Sequence, residues 1–243
     1  MELTILHLCP DMMNLYGEYA NTAVLRRRLE MLGVTVTVEE APCGDRPDFF
    51  GADLVYMGAG TERKQKYALE ALRPWREDLK EAIDRGAVLL FTGNAMETLG
   101  ASVTDAGGKV FPGLGLADFT TVETEKRTPV DVVATPTLWE APAVGFMNKC
   151  SVTRGVTTPL FSALPLGFGN DQEHGAEGYV SGNVFATHMT GPVLVKNPDF
   201  AEVLLRRLFA RKEWDLPEPL PELPHQRAAY AVTLEELQKR MNG

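Results

Sequence analysis

Apolar and polar positions along the chain change their period in an ordered way. "LTILHLCP" reads as a strand ending near Pro10. "NTAVLRRRLEMLG" places Leu25, Leu29 and Leu32 on one helical face and stops at Gly33. "VTVTV" from Val34 alternates as a strand does, and "ADLVYMGAG" is a short buried strand ending in small residues. A helical region follows from Glu62 to Arg85, with Pro74 expected to break it in two. "AVLLFTG" is the next buried strand. This β-α-β-α-β order predicts an α/β fold with a mainly parallel sheet and helices on both faces.

Beyond that core the pattern is less regular. From Val103 to Met147 short β-like pieces and turns are expected, then strands in "YVSGNVFATHM" and a late helix in "DFAEVLLRRLFARKE". No internal repeat is visible. After Trp214 the composition shifts: "LPEPLPELP", Leu216 to Pro224, reads as an extended polyproline-like arm. "TLEELQKRMNG" then offers an N-cap at Thr233, with Leu234, Leu237 and Met241 on one helical face. The expected division is a domain over 1–213 and an arm with a C-terminal helix over 214–243. That helix either packs on its own domain or docks on a partner or a second copy.

Composition narrows the class. The chain has 243 residues, 44% apolar and 23% charged, enough for one domain with a sizeable core. Its net charge of −9 and lack of a long basic run argue against nucleic acid and anionic membrane as direct partners. Cys9, Cys43 and Cys150 are widely spaced and form no C-x-x-C pair, so no disulfide framework and no zinc knuckle is indicated. "LTILHL" is too short for a signal-peptide core, and no run approaches the roughly 18 apolar residues of a membrane span. The expectation is a cytoplasmic, reduced protein with no membrane insertion.

Ligands of open parallel sheets sit outside the carboxyl ends of the strands. Two glycine-containing turns are expected there: Gly58, Ala59 and Gly60, and Thr92, Gly93 and Asn94. The second lies in "AVLLFTGNAMETLG", a strand, a sharp turn and the start of a helix. Such a junction exposes the nucleophile in many α/β hydrolytic enzymes. Here the turn carries Gly93, which has no side chain.

Three segments carry a resemblance. "PDMMNLYGEYANTAVLRRRLEMLGV", "GADLVYMGAGTERKQ" and "GYVSGNVFATHMTGPVLVKNPDFAEVLL" resemble the CobB/CobQ-like class I glutamine amidotransferases. Within them they resemble the GatD-like glutaminase subunits of lipid II isoglutaminyl synthases. The similarity runs from about Leu3 to Leu208, specific at both ends and loose in the middle. It implies a flavodoxin-like fold; no cofactor and no metal are expected.

The departures bear on chemistry. The family elbow resembles "C-G-G-Y-Q-L-L-G"; here it reads "GNAMETLG", so the nucleophilic cysteine falls on Gly93. The family histidine before "GP" falls on Thr190, and "GFENH" becomes "GFMNK", with Met147 and Lys149. Glutaminase chemistry needs a thiolate to attack the amide carbon and an imidazole to move its proton. The catalytic residues are therefore not intact. The pocket is assigned to Gly58, Ala59, Gly60, Gly93, Asn94, His188 and Thr190.

The candidate substitutes are Thr92 as nucleophile and His188 as base. His188 is expected to share a strand face with Thr190. Cys150 lies far along the chain in an expected strand, and His174 sits in a polar loop. Two function classes stand. One is a non-catalytic amidotransferase-like subunit that binds a partner, by resemblance a Mur-ligase-like synthetase in cell-wall amidation, or forms a homo-oligomer. The other is an active amidohydrolase using relocated residues.

Overall fold

The structure, a computed structural model, describes residues 1–242. The first half follows the expected order. β1 (Glu2–Leu8) leads through α1 (Ala20–Met31) to β2 (Thr35–Ala41), and β3 (Leu54–Met57) follows. α2 (Glu62–Leu72) and α3 (Arg76–Asp84) are separated by a 3-10 turn that holds Pro74, and β4 (Val88–Thr92) comes next. Pro74 breaks the helix because its nitrogen has no proton to donate to the ladder.

After β4 come α4 (Ala95–Thr98), β5 (Ser102–Thr104), β6 (Val110–Pro112), β7 (Thr120–Pro136) and β8 (Ala143–Arg154). They are followed by β9 (Phe161–Leu166), β10 (Tyr179–Ser181) and β11 (Val184–Thr187). The chain closes with α5 (Val193–Lys196), α6 (Pro198–Arg211) and α7 (Pro224–Asn242).

The main sheet has six strands in the order β10-β11-β4-β3-β1-β2. β2, β1, β3, β4 and β11 pair in parallel, and β10 adds an antiparallel edge. Its central strands alternate between two apolar cores. Ile5, Tyr56, Leu90 and Phe185 face α1 and α6, with Leu25, Leu29, Leu204 and Leu208. Leu6, Val55, Leu89 and Phe91 face α2 and α3, with Leu69 and Leu79. Burial on both faces is why these strands read as continuous apolar runs.

A second sheet was not expected. β6-β5-β7-β8 form its path and β9 joins β7. β7 is 17 residues long and β8 is 12, where short pieces and turns were anticipated. The cause lies in "VETEKR": this part of β7 is polar and largely exposed, and the register shifts between Glu123 and Thr128. A bulge and a solvated face erase the alternation that marks a strand.

The C-terminal helix also differs from expectation. It begins at Pro224, so Thr233 lies inside it and donates its hydroxyl to the Ala229 carbonyl, one turn back, instead of capping an N-terminus. Leu237 is buried and Leu234 partly so, against Val133 and Val144 of the second sheet. Met241 stays exposed, off that face, and Gly243 lies outside the described residues. Tyr230 donates to the Pro142 carbonyl at 2.7 Å, and Gln226 to that of Leu194 at 2.8 Å. Among the described residues no helix is long and apolar enough to cross a membrane.

Candidate functional site

β3 and β4 are parallel neighbours with Met57 opposite Phe91, so the turns that follow them emerge at the same, carboxyl end of the sheet. Close approach explains both glycines of the first turn. A Cβ on Gly58 would meet Glu18 Cβ at 2.7 Å, and one on Gly60 would meet Met13 Sδ at 2.4 Å. The segment between β1 and α1 is thus pressed onto this turn, and Leu15 donates its N–H to the Ala59 carbonyl at 2.9 Å.

In the second turn Gly93 has φ of +60°, the left-handed region that L side chains rarely adopt. Its N–H donates to the Met189 carbonyl at 2.9 Å, which ties the elbow to the segment after β11. A Cβ placed on Gly93 would lie 3.6 Å from Thr190 Oγ1 and 2.5 Å from Ala59 Cβ. The two positions therefore face one another. Asn94 holds the first turn reciprocally, accepting from Gly60 N–H and donating to the Gly60 carbonyl, each at 2.9 Å.

Beneath these turns lies Glu18, fully buried. One carboxylate oxygen accepts from Thr190 Oγ1 at 2.9 Å and from the Gly191 N–H at 2.8 Å. The other accepts from Tyr56 Oη and Thr92 Oγ1, both at 2.7 Å, and from Asn21 Nδ2 at 3.1 Å. Burial pushes the Glu18 carboxyl up, against the pull of its hydrogen bonds to Thr92, Tyr56, Thr190 and Gly191. Five donors around one carboxylate make this a structural knot: it is closed to water and leaves no lone pair free to take a substrate proton.

His188 and Thr190 are not on one continuous strand: β11 ends at Thr187, His188 lies in the bend beyond it, and Thr190 forms an isolated antiparallel bridge with Phe146 of β8. They turn to different carboxylates. His188 Nδ1 is 3.0 Å from Glu177 Oε1, and Nε2 is 3.2 Å from Thr153 Oγ1 and 3.8 Å from Glu97 Oε1. Glu97 in turn accepts from Ser151 Oγ at 2.5 Å and Gln65 Nε2 at 2.6 Å. Thr92 donates to Glu18 and is wholly buried, so no hydrogen bond links it to His188 among the described residues.

A cavity of about 240 Å³ opens above this network. Ala59, Gly60, Gly93, Asn94, His188 and Thr190 all line it, whereas Gly58 and Thr92 lie behind its wall. Tyr16 stands at the mouth with φ of +60°, its hydroxyl accepting from Asn148 Nδ2 at 2.9 Å. Lys149 also reaches the wall, donating to the Gly169 carbonyl at 2.6 Å and that of Asn170 at 3.2 Å. Burial brings its ammonium down to about 8. Met147 is buried in β8 with no place on the wall.

Cys150 lines the cavity too, although its distance along the chain gave no sign of it. Its thiol donates to Glu62 Oε1 at 3.3 Å. Burial and the neighbouring Glu62 carboxylate push that thiol up to about 12, so the thiolate that nucleophilic attack needs is scarce near neutral pH. Burial alone would raise the Glu62 carboxyl, but the Arg127 contact, a backbone N–H and the Cys150 thiol together hold Glu62 below the ordinary value. His174 lies away from the cavity, with Nδ1 2.9 Å from the Leu164 carbonyl. Sequence patterns gave no warning of Glu18 and Glu97, lone acids that meet partners from distant segments, nor of Glu177, which sits in an acid-rich loop and meets Thr187 and His188 across the hairpin that follows.

Comparison with known proteins agrees with this architecture. Residues 4–198 match the model of the CobB/CobQ-like glutamine amidotransferase domain. The chain is 32% identical over 214 residues to the subunit GatD of lipid II isoglutaminyl synthase (glutamine-hydrolyzing) from Staphylococcus aureus, covering 87% of this chain and 86% of that one. It is 29% identical over 217 residues to the GatD subunit from Streptococcus pneumoniae, covering 87% and 82%. Among solved structures, a glutamine amidotransferase aligns with TM-score 0.52 at 13% identity, over 84% of this chain and 98% of that one. Another from Thermotoga maritima aligns with TM-score 0.50 at 12% identity, over 98% and 97%. At those identities the structural likeness bears on fold alone.

Proposed function

The chain belongs to the CobB/CobQ-like glutamine amidotransferase family, as a GatD-like member, and from that premise we propose that it is a non-catalytic subunit whose work is to bind a partner. The observation that carries this reading is the pairing of Gly93 with Thr190. The two positions converge, a Cβ on Gly93 lying 3.6 Å from Thr190 Oγ1, yet they bring a hydrogen atom and a hydroxyl to the place where a thiolate and an imidazole are needed. The Thr190 hydroxyl is itself committed to Glu18.

The relatives are subunits of lipid II isoglutaminyl synthases. We infer from that likeness a place in cell-wall amidation in the cytoplasm, beside a Mur-ligase-like synthetase that forms the amide bond. In this reading the preserved fold and cavity mouth serve docking, while nitrogen is delivered by another route.

The alternative is an active amidohydrolase that uses Thr92 with His188, or Cys150. Only the presence of Cys150 and His188 on the cavity wall favours it. The Thr92 proton is held by Glu18 and the Cys150 thiol is held protonated. Affinity purification from the native cell tests the proposal. A Mur-ligase-like synthetase is expected to co-purify in stoichiometric amount; recovery of the chain alone, or only as its own oligomer, contradicts the partner role.

A further inference from the structure

Losing a nucleophile leaves a hole unless something fills it. At Gly93 the space is already taken. A Cβ built there lies 2.5 Å from Ala59 Cβ and 3.3 Å from Ala59 Cα. Real side chains do not tolerate 2.5 Å between carbons, and the obstacle is a methyl attached directly to backbone, which has no rotamer by which to withdraw.

The backbone behind that methyl is also held. The Ala59 carbonyl accepts from Leu15 N–H at 2.9 Å. Gly60 is gripped on both its N–H and its carbonyl by Asn94. Gly58 and Gly60 already touch the 12–18 segment, since a Cβ on either would overlap Met13 or Glu18. The turn therefore cannot retreat from residue 93 without dismantling the contacts that place Glu18.

We propose that Ala59 is the residue that determines whether this site can carry a nucleophile: its methyl fills the volume through which any side chain at position 93 must enter the cavity. This rests on the reading above that position 93 is where the family's nucleophile stood, and it extends it. The site is closed by two coupled positions, 59 and 93, and changing position 93 alone cannot reopen it.

Two features would burden a side chain at 93, and they separate cleanly. The left-handed backbone at φ of +60° penalises any Cβ there whatever stands at 59. The clash with Ala59 is removed by A59G. A double-mutant cycle between A59G and G93A thus reads the clash and cancels the backbone penalty.

The cycle is run by thermal unfolding of the full chain. G93A is expected to lower the melting temperature by roughly 5–10 °C, and A59G alone by roughly 2–4 °C, since it adds a glycine's unfolded-state entropy. Measured in the A59G background, the further drop caused by G93A should be less than half of its drop in the wild type. Additive effects overturn the proposal.

A chemical readout accompanies it. G93C and A59G/G93C are treated with iodoacetamide, and alkylation of the peptide containing position 93 is followed by mass spectrometry. Alkylation at that position should be at least tenfold faster in A59G/G93C than in G93C, and G93C unable to fold beside a folded A59G/G93C gives the same answer. Equal rates in two folded proteins overturn the proposal; should neither fold, the G93A cycle decides. The unmodified protein's ability to hydrolyse glutamine is measured separately, so failure of the non-catalytic reading and failure of this coupling remain distinguishable.

Discussion

The Thr190 hydroxyl donates to Glu18 at 2.9 Å, joining two residues 172 positions apart beneath the floor of the cavity. The same carboxylate receives Thr92, Tyr56, Asn21 and the Gly191 N–H. One buried acid therefore binds the end of β4, the turn after β11 and the segment before α1. Thr190, the position assigned by resemblance to the family's histidine, is part of that knot.

Replacing this acid tests the knot. E18Q keeps the shape but puts an amide NH2 where a carboxylate oxygen accepts from two or three donors, depending on which way the amide turns. It should destabilise by about 1–3 kcal/mol in urea unfolding at pH 7, and E18A by more. The pH dependence has a definite sign. A carboxyl whose pKa is raised in the native state binds its proton more tightly there, so its contribution is greatest at low pH and is lost as pH rises through the raised value. The stability gap between wild type and E18Q should therefore shrink from pH 4.5 upward. A gap that widens with pH contradicts the raised carboxyl.

His7 gives the opposite slope. It is buried in β1, 2% exposed, with Nε2 lacking a hydrogen-bond partner among the described residues and its ring 5.1 Å from that of Tyr56. Burial brings the imidazole down from 6.5 to about 4. A depressed native pKa means stability that is present above 6.5 and lost as pH falls toward 4. Between pH 7 and pH 5 this one group should cost about 2 kcal/mol. H7F, which cannot charge, should remove that part of the acid sensitivity. Identical pH profiles for wild type and H7F in urea titrations contradict it.

The C-terminal helix should count toward the stability of its own chain. Leu237, 5% exposed, packs with Tyr230 against Val133 and Val144. L237A is expected to cost about 2–4 kcal/mol and to lower the melting temperature by roughly 5–10 °C. Y230F, which loses only the bond to the Pro142 carbonyl, should cost about 1 kcal/mol. An L237A variant that melts with the wild type shows that α7 is not seated on the second sheet in solution.

How much of this was legible in the sequence follows from the range of each interaction. The parallel core was, because burial on two faces gives uninterrupted runs such as those of β3 and β4. Gly58 and Gly93 at neighbouring strand ends followed from that order. β7 was not, since its exposed, charged middle carries no apolar period. The sequence suggests a helix start at Thr233, because a threonine ahead of a leucine-rich stretch imitates a cap, while Pro224 sets the actual start. Nor was the Glu18 knot legible: a lone glutamate in "NLYGEY" has no local sign of being buried, and its partners come from β3, β4 and the turn after β11. Cys150 reaches the cavity only because β8 runs beside it.

Whether the chain releases ammonia from glutamine is the most direct test of the central claim. The assay uses purified protein alone and again with whatever partner co-purifies, with a coupled readout of ammonia. The account predicts no release above background in either case, because Gly93 supplies no nucleophile, Thr92 is tied to Glu18 and the Cys150 thiol stays protonated. Sustained release that survives removal of contaminating glutaminases, and that disappears in T92A, H188A or C150S, contradicts it.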